Sequence, residues 1–89
     1  DDFCAFTFLF PIGNGFYGVK TRSYVSDLKV RKLDTAMRQK YQEFIDEGTL
    51  HVMEGAVLDM MDVYRDVDDF LIKHQYTVVS FGYDPYNAK

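Results

Sequence analysis

Asp84, in the stretch FGYDPYN (81–87), follows an apolar run and precedes a proline. Two roles compete for such a carboxylate. If the run before it is a strand of an α/β sheet, Asp84 stands at the carboxyl end of that strand, where ligands and catalytic groups of such sheets collect. An Asp-Pro pair is equally the N-cap and first residue of a helix that begins after the strand, the carboxylate accepting from a free backbone N–H. A side chain that caps a helix can seldom bind a metal as well, and spacing alone leaves both roles open. Lys20 and Arg22 are the second pair of interest. They alternate on an extended segment with Tyr24, an arrangement suited to tracking a phosphate backbone beside a ring, and common also among solvated strand residues.

The remaining candidates are weaker. Asp59, Asp62, Asp66, Asp68 and Asp69 mostly fall off the apolar stripe of a predicted helix. They read as a solvated face, since hard cations want oxygens converging from several elements. His51 and His74 have no zinc-ligand spacing, and His74, on the apolar stripe, is expected to pack. Cys4 lies in an apolar run with no adjacent His or acid to activate it, so a small hydrophobe is expected there and not a nucleophile. The GNG turn is too short for a phosphate loop, and no GxxxxGK[ST] occurs, so nothing in the chain supports ATP binding.

Composition bounds the class. The chain has 89 residues, 47% hydrophobic and 27% charged, with eight Phe and seven Tyr, which suits one globular domain with a ring-rich core. A net charge of −4 argues against a general polyanion-binding surface. The average hides a segregation. Five of the ten bases lie between Val19 and Lys32, whereas residues 54–69 carry six acids and one base. One cysteine excludes an internal disulfide, no run reaches the length of a membrane span, and the start DDFCAF has no basic leader region, so a soluble, intracellular protein is expected.

The elements that must position these residues can be read from periodicity. FCAFTFLFPI (3–12) is an almost unbroken apolar run, expected as a strand covered on both faces. Asn14-Gly15 supplies a tight hairpin turn into FYGVKTRSYV (16–25). That second strand puts Phe16, Lys20, Arg22 and Tyr24 on one face, expected to be wet, and Tyr17, Val19 and Val25 on the other. After a polar link SDLKVRK, Leu33, Ala36, Met37, Tyr41, Phe44 and Ile45 repeat at helical spacing, with Gly48 as terminator. LHVME (50–54) is a short strand. A second helix runs from about Asp59 to Gln75, capped by Asp59, with Asp62 favouring the positive end of its dipole. YTVVSFGY (76–83) is a last strand, expected to lie parallel to a neighbour, yet no earlier strand is an obvious parallel partner. The order predicts an α/β mixed sheet with flanking helices, lacking a first strand.

These segments together resemble the nuclease domain of the large terminase subunit of tailed bacteriophages or prophages, which has an RNase H-like fold. DDFCAFTFLFP is similar to the second strand of that domain. YQEFIDEGTLHVMEGAVLD has its aromatic residue, its Gly-hydrophobic step and its Gly followed by a hydrophobic-Asp pair. FGYDPYNA is similar to the Tyr-Asp-Pro-aromatic-Asn-Ala segment, and its combination with EGTLHVMEG is the most specific part. The resemblance spans the whole chain, residues 1–89.

What the resemblance implies is an endonuclease dependent on Mg²⁺ or Mn²⁺ that cuts concatemeric double-stranded DNA during genome packaging in the cytoplasm of the bacterial host. Asp84 matches one of the acids that hold the metal ions, which activate a water and stabilise the leaving oxygen. Its partners would be DNA, the motor ATPase domain of the same parent chain, the small terminase subunit and the portal protein. The pattern departs in two places. The family's first catalytic aspartate precedes the segment matching Asp1 and Asp2, and a later acid lies beyond the position of Lys89. Neither is present, so these residues read as a piece of a larger protein, incomplete at its first strand and C-terminal part, with one expected ligand and little activity alone. A non-catalytic RNase H-like interaction module is the competing class. An unpaired sheet edge would also invite association between copies.

Overall fold

The computed structural model describes residues 3–78 and Gly82. Strand β1 (Phe3–Gly13) and strand β2 (Phe16–Ser26) form an antiparallel hairpin, and β3 (Leu50–Met53) adds to β2 in parallel, giving the order β1-β2-β3. Asn14 (φ 55°) and Gly15 (φ 79°) make the hairpin turn, the pair of positive φ angles that a twisted two-residue connection requires. Pairing shifts between Pro11 and Gly13, so Ile12 forms a bulge that ends the regular ladder just before the turn.

The expected polar link is not a plain loop. Asp27–Arg31 form a short helix, α1, whose N-cap Ser26 accepts from the Lys29 N–H at 3.2 Å. Small hydroxyl-bearing Ser and the following Asp satisfy and stabilise a helix start, which outweighs the segment's lack of apolar periodicity. Helix α2 (Thr35–Glu47) follows, capped by Asp34 at 2.8 Å and ended by Gly48 in the left-handed region at φ 84°. The α1–α2 connection carries the chain from β2 to a parallel β3, a crossover pair that the sequence did not reveal. Helix α3 (Met60–Lys73) is capped by Asp59, as expected, and stops two residues before Gln75. Tyr76, Thr77 and Val78 are not in a strand, and the rest of the expected strand 76–83, apart from Gly82, lies outside the described residues.

The helices lie on opposite faces of the sheet. The α3 face carries Cys4, Phe6, Phe8 and Phe10 from β1, Lys20, Arg22 and Tyr24 from β2, and His51 and Met53 from β3, as the pairing register dictates. Its core is Tyr24, Leu58 and Val63, with Cys4, Phe6, Met53, Met60 and Val67 against it. Each fully buried side chain of the size of Val63 contributes about 1.5–3 kcal/mol, so this cluster, with the buried Phe70 against Phe8, holds α3 on the sheet. The opposite face carries Val25 and Leu50, both buried, and leaves an open trough of about 420 Å³ between the sheet and α2, lined in part by Phe3, Thr21, Ser23, Tyr41 and Phe44.

Two expectations about faces are corrected here. The face of Phe16, Lys20, Arg22 and Tyr24 is wet only in part: α3 covers Arg22 and leaves Tyr24 with no exposed surface, while Phe16 and Lys20 remain exposed. Its polar groups are tolerated because the helix brings an acid and a ring to meet them. Strand β1 is covered on one face only among the described residues. Leu9 is 66% exposed, and across the hairpin Val19 is 65% exposed. An unbroken apolar run does not distinguish a strand covered twice from one with a bare apolar face.

Candidate functional site

Lys20 and Arg22 arise from the alternation of β2, and the α3 register decides what meets them. Asp66 falls three residues after Val63 and four before Phe70, so it shares their side of the helix and faces the sheet. There Arg22 donates from Nη2 to Asp66 Oδ2 at 2.6 Å and from Nε at 3.2 Å, and Tyr24 donates its hydroxyl to the same oxygen at 2.5 Å. Arg22 Nε also donates to the Tyr24 hydroxyl oxygen at 2.7 Å. The guanidinium lies 4.7 Å from the centre of the Phe70 ring and 5.7 Å from that of Tyr24. The charge of Arg22 is therefore paired, and its Nε and Nη2 donors and both guanidinium-ring contacts find partners within the chain.

The electrostatics follow from this packing. Burial alone would raise the Asp66 carboxyl, but hydrogen bonds from Tyr24 and Arg22 outweigh it and hold the group below its ordinary value. Burial would likewise lower Arg22, and the hydrogen bonds to Asp66 and Tyr24 more than reverse that. The Tyr24 hydroxyl is pushed up to about 12, first by burial and then by its hydrogen bond to Asp66. His51 lies 5.5 Å from the Tyr24 ring, with a buried Nε2 that has no hydrogen-bond partner in the structure. Burial, and then the Arg22 cation, push its pKa down, so it is neutral at pH 7.

Lys20 is placed differently. Its Nζ stands 5.1 Å from the centre of the Phe70 ring, and it makes no ion pair among the described residues. The ring beside it is Phe70 and not the expected Tyr24, which is buried. The acidic face of α3 is largely solvated, as expected, with Asp62 paired to Arg65 at 2.9 Å; Asp66 is the exception. His74 does pack, 4.7 Å from Phe70 and 5.4 Å from Tyr76, while remaining exposed.

Asp84 lies outside the described residues. Among the described residues no group of three or more His, Cys, Asp or Glu side chains could hold a metal ion, so these residues do not by themselves form a cation site. Sequence reasoning missed Asp66 by treating the acids of α3 as one set. The signal was available in its spacing from Val63 and Phe70. It also missed Phe70 as the neighbour of Lys20, which no local pattern could reveal, since the two are 50 positions apart. Among the described residues no helix is long and apolar enough to cross a membrane.

No family model matches the chain, and no solved structure matches it. The chain is 30% identical over 70 residues to the terminase large subunit of Lactococcus phage p2, and to the same degree to that of Lactococcus phage SK1. Each match covers 74% of this chain and 13% of the relative. The chain thus spans a small part of the length of the curated relatives it matches, and its similarity is to phage terminase large subunits.

Proposed function

We propose that these residues belong to the nuclease domain of a phage or prophage terminase large subunit and that the fold is a partial RNase H-like domain. The observation that carries this reading is the 30% identity over 70 residues to two terminase large subunits. A mixed sheet with a parallel β2–β3 pair and helices on both faces is compatible with it. In this reading the parent protein is a metal-dependent endonuclease that cuts concatemeric double-stranded DNA during packaging. Its partners are the motor ATPase domain of the same chain, the small terminase subunit and the portal protein.

Asp84 is the residue of this chain assigned to the catalytic metal, Mg²⁺ or Mn²⁺. The described residues offer no cation site, so the other ligands in this reading come from the rest of the parent protein. For DNA contact the reading retains Lys20 and Arg22 with unequal parts. Lys20 has no ion pair among the described residues and is available to a phosphate, whereas Arg22 is matched by Asp66 and acts mainly by holding β2 and α3 together. Non-specific DNA affinity depends on released counterions, so the uncompensated base is the one that contributes.

The experiment is cleavage of supercoiled plasmid, with Mn²⁺ and with Mg²⁺, by a longer version of the polypeptide carrying the segments that precede and follow these residues. It is compared with the same protein bearing Asp84→Asn. Activity lost in a folded Asp84→Asn protein supports the nuclease reading. Equal activity removes Asp84 from the chemistry, and inactivity of both favours a non-catalytic interaction module.

A further inference from the structure

The end of α3 gathers rings from three parts of the chain into one run of contacts, in which His74 and Tyr76 are stacked and the other pairs are tilted. Phe8 meets Phe70 at 5.4 Å, Phe70 meets His74 at 4.7 Å, His74 meets Tyr76 at 5.4 Å, and Tyr76 meets Phe10 at 4.9 Å. The last turn sets this up. Gln75 adopts the left-handed region at φ 58°, and the Tyr76 N–H donates to the Leu71 carbonyl at 2.9 Å, which folds the chain back and lays the Tyr76 ring within 15° of parallel to His74.

A ring cluster that served packing alone would end in the core. This one begins there and ends in water: Phe70 is 6% exposed, Tyr76 is 39% exposed, and His74 is exposed. Cations stand at its margin. Lys20 lies over Phe70 with its charge unmatched among the described residues, and Lys73 is in the final turn of the helix. Asp66, the acid of α3 that faces the sheet, is already engaged by Arg22 and Tyr24.

Exposed rings with one lysine over Phe70 and another in the adjoining helical turn match the needs of unpaired nucleobases, whose flat faces stack on aromatic side chains while cations follow the phosphates. A base inside a duplex has both faces covered and cannot use such rings. We propose that this surface is a stacking platform for single-stranded DNA, with Tyr76 and His74 receiving bases and Lys20 and Lys73 meeting phosphates. The proposal rests on the terminase reading only in taking DNA as the polymer, and a test without metal separates it from cleavage.

The test is fluorescence anisotropy of a labelled oligothymidine of about ten nucleotides with the 89-residue chain, in EDTA and at low salt. An abasic strand and a duplex of the same length serve as comparisons. The expected result is binding of oligothymidine about tenfold tighter than of the abasic strand or the duplex. His74→Ala changes an exposed residue and is expected to weaken binding several-fold. Tyr76→Phe, which keeps the ring, is expected to bind nearly as well as the parent, and Tyr76→Ala, checked for fold by circular dichroism, about tenfold less well. Lys20→Gln should lower both the affinity and the salt dependence. Absence of oligothymidine binding overturns the proposal, as does equal binding of the abasic strand, or unchanged affinity in both His74→Ala and a folded Tyr76→Ala. Failure here with Asp84-dependent cleavage intact would reject the platform and leave the nuclease reading standing.

Discussion

Arg22 and Asp66 meet in an ion pair of 2.6 Å across the boundary between β2 and α3, with Arg22 16% and Asp66 38% exposed. The Tyr24 hydroxyl closes the arrangement by donating to the same carboxylate oxygen. The pair does what a hydrophobic contact could not do at this position. It allows a charged strand residue to lie under a helix, and it ties the middle of α3 to the centre of the sheet.

Removing one partner is therefore expected to cost more than removing both. Asp66→Ala leaves a half-buried guanidinium without its acceptor, a loss of about 1–2 kcal/mol once the solvent exposure of the carboxylate is allowed for. Arg22→Met combined with Asp66→Leu fills the same space between Tyr24 and Phe70 with apolar groups and should recover much of that loss. Urea unfolding of the four proteins in a double-mutant cycle, followed by circular dichroism, gives the coupling directly. Additive single changes would mean that the pair contributes no more than its separate side chains.

His51 sets the first acid limb of stability. Its folded pKa lies below the ordinary 6.5, so the unfolded chain binds a proton that the folded chain refuses. The contribution is fully present above about pH 6.5 and is lost as the pH falls through the lower folded value. Asp66 is also depressed, below 3.8, and its contribution is present above that value and lost at still lower pH. Thermal unfolding between pH 7.5 and 3 is expected to show two declines. His51→Gln should abolish the first and keep the second. A parent protein equally stable at pH 7.5 and 5 would contradict the placement of His51.

The face of the hairpin away from α3 should drive self-association. No residue from Phe3 to Val19 is charged, Leu9, Val19 and Tyr17 are each more than half exposed, and β1 is an edge strand of the described sheet. Such an edge, without charges to block pairing, recruits other chains. Leu9→Lys and Val19→Lys place charges on exposed positions of paired strands without touching the core. Light scattering over a wide concentration range should show association of the parent protein and a clear reduction in the double variant. A strict monomer at all concentrations would count against the idea.

Much of the scaffold was legible in the linear sequence because it depends on local rules. Asn14-Gly15 accepts the turn's positive φ angles, Asp59 offers an oxygen to a free N–H, and Gly48 carries no Cβ to clash in the left-handed region. The short helix Asp27–Arg31 carries no apolar periodicity over its five residues, and its start depends on the Ser26 cap and Asp27. The candidate site was legible in part. Lys20 and Arg22 stand on the strand and face that alternation predicted, and Asp84 lies outside the described residues.

What the sequence determined by itself was the hairpin, the two longer helices and the short strand, and the side of each on which a residue stands, since periods of two and of 3.6 residues follow from backbone geometry alone. Tertiary structure decided which sides meet. Only the docking of α3 made Arg22 an internal partner of Asp66, left Lys20 with a ring and no ion pair among the described residues, and carried Tyr76 to a ring of β1. Those contacts join residues more than 40 positions apart. Their formation depends on apolar burial over the whole sheet face, a quantity that no local stretch of sequence contains.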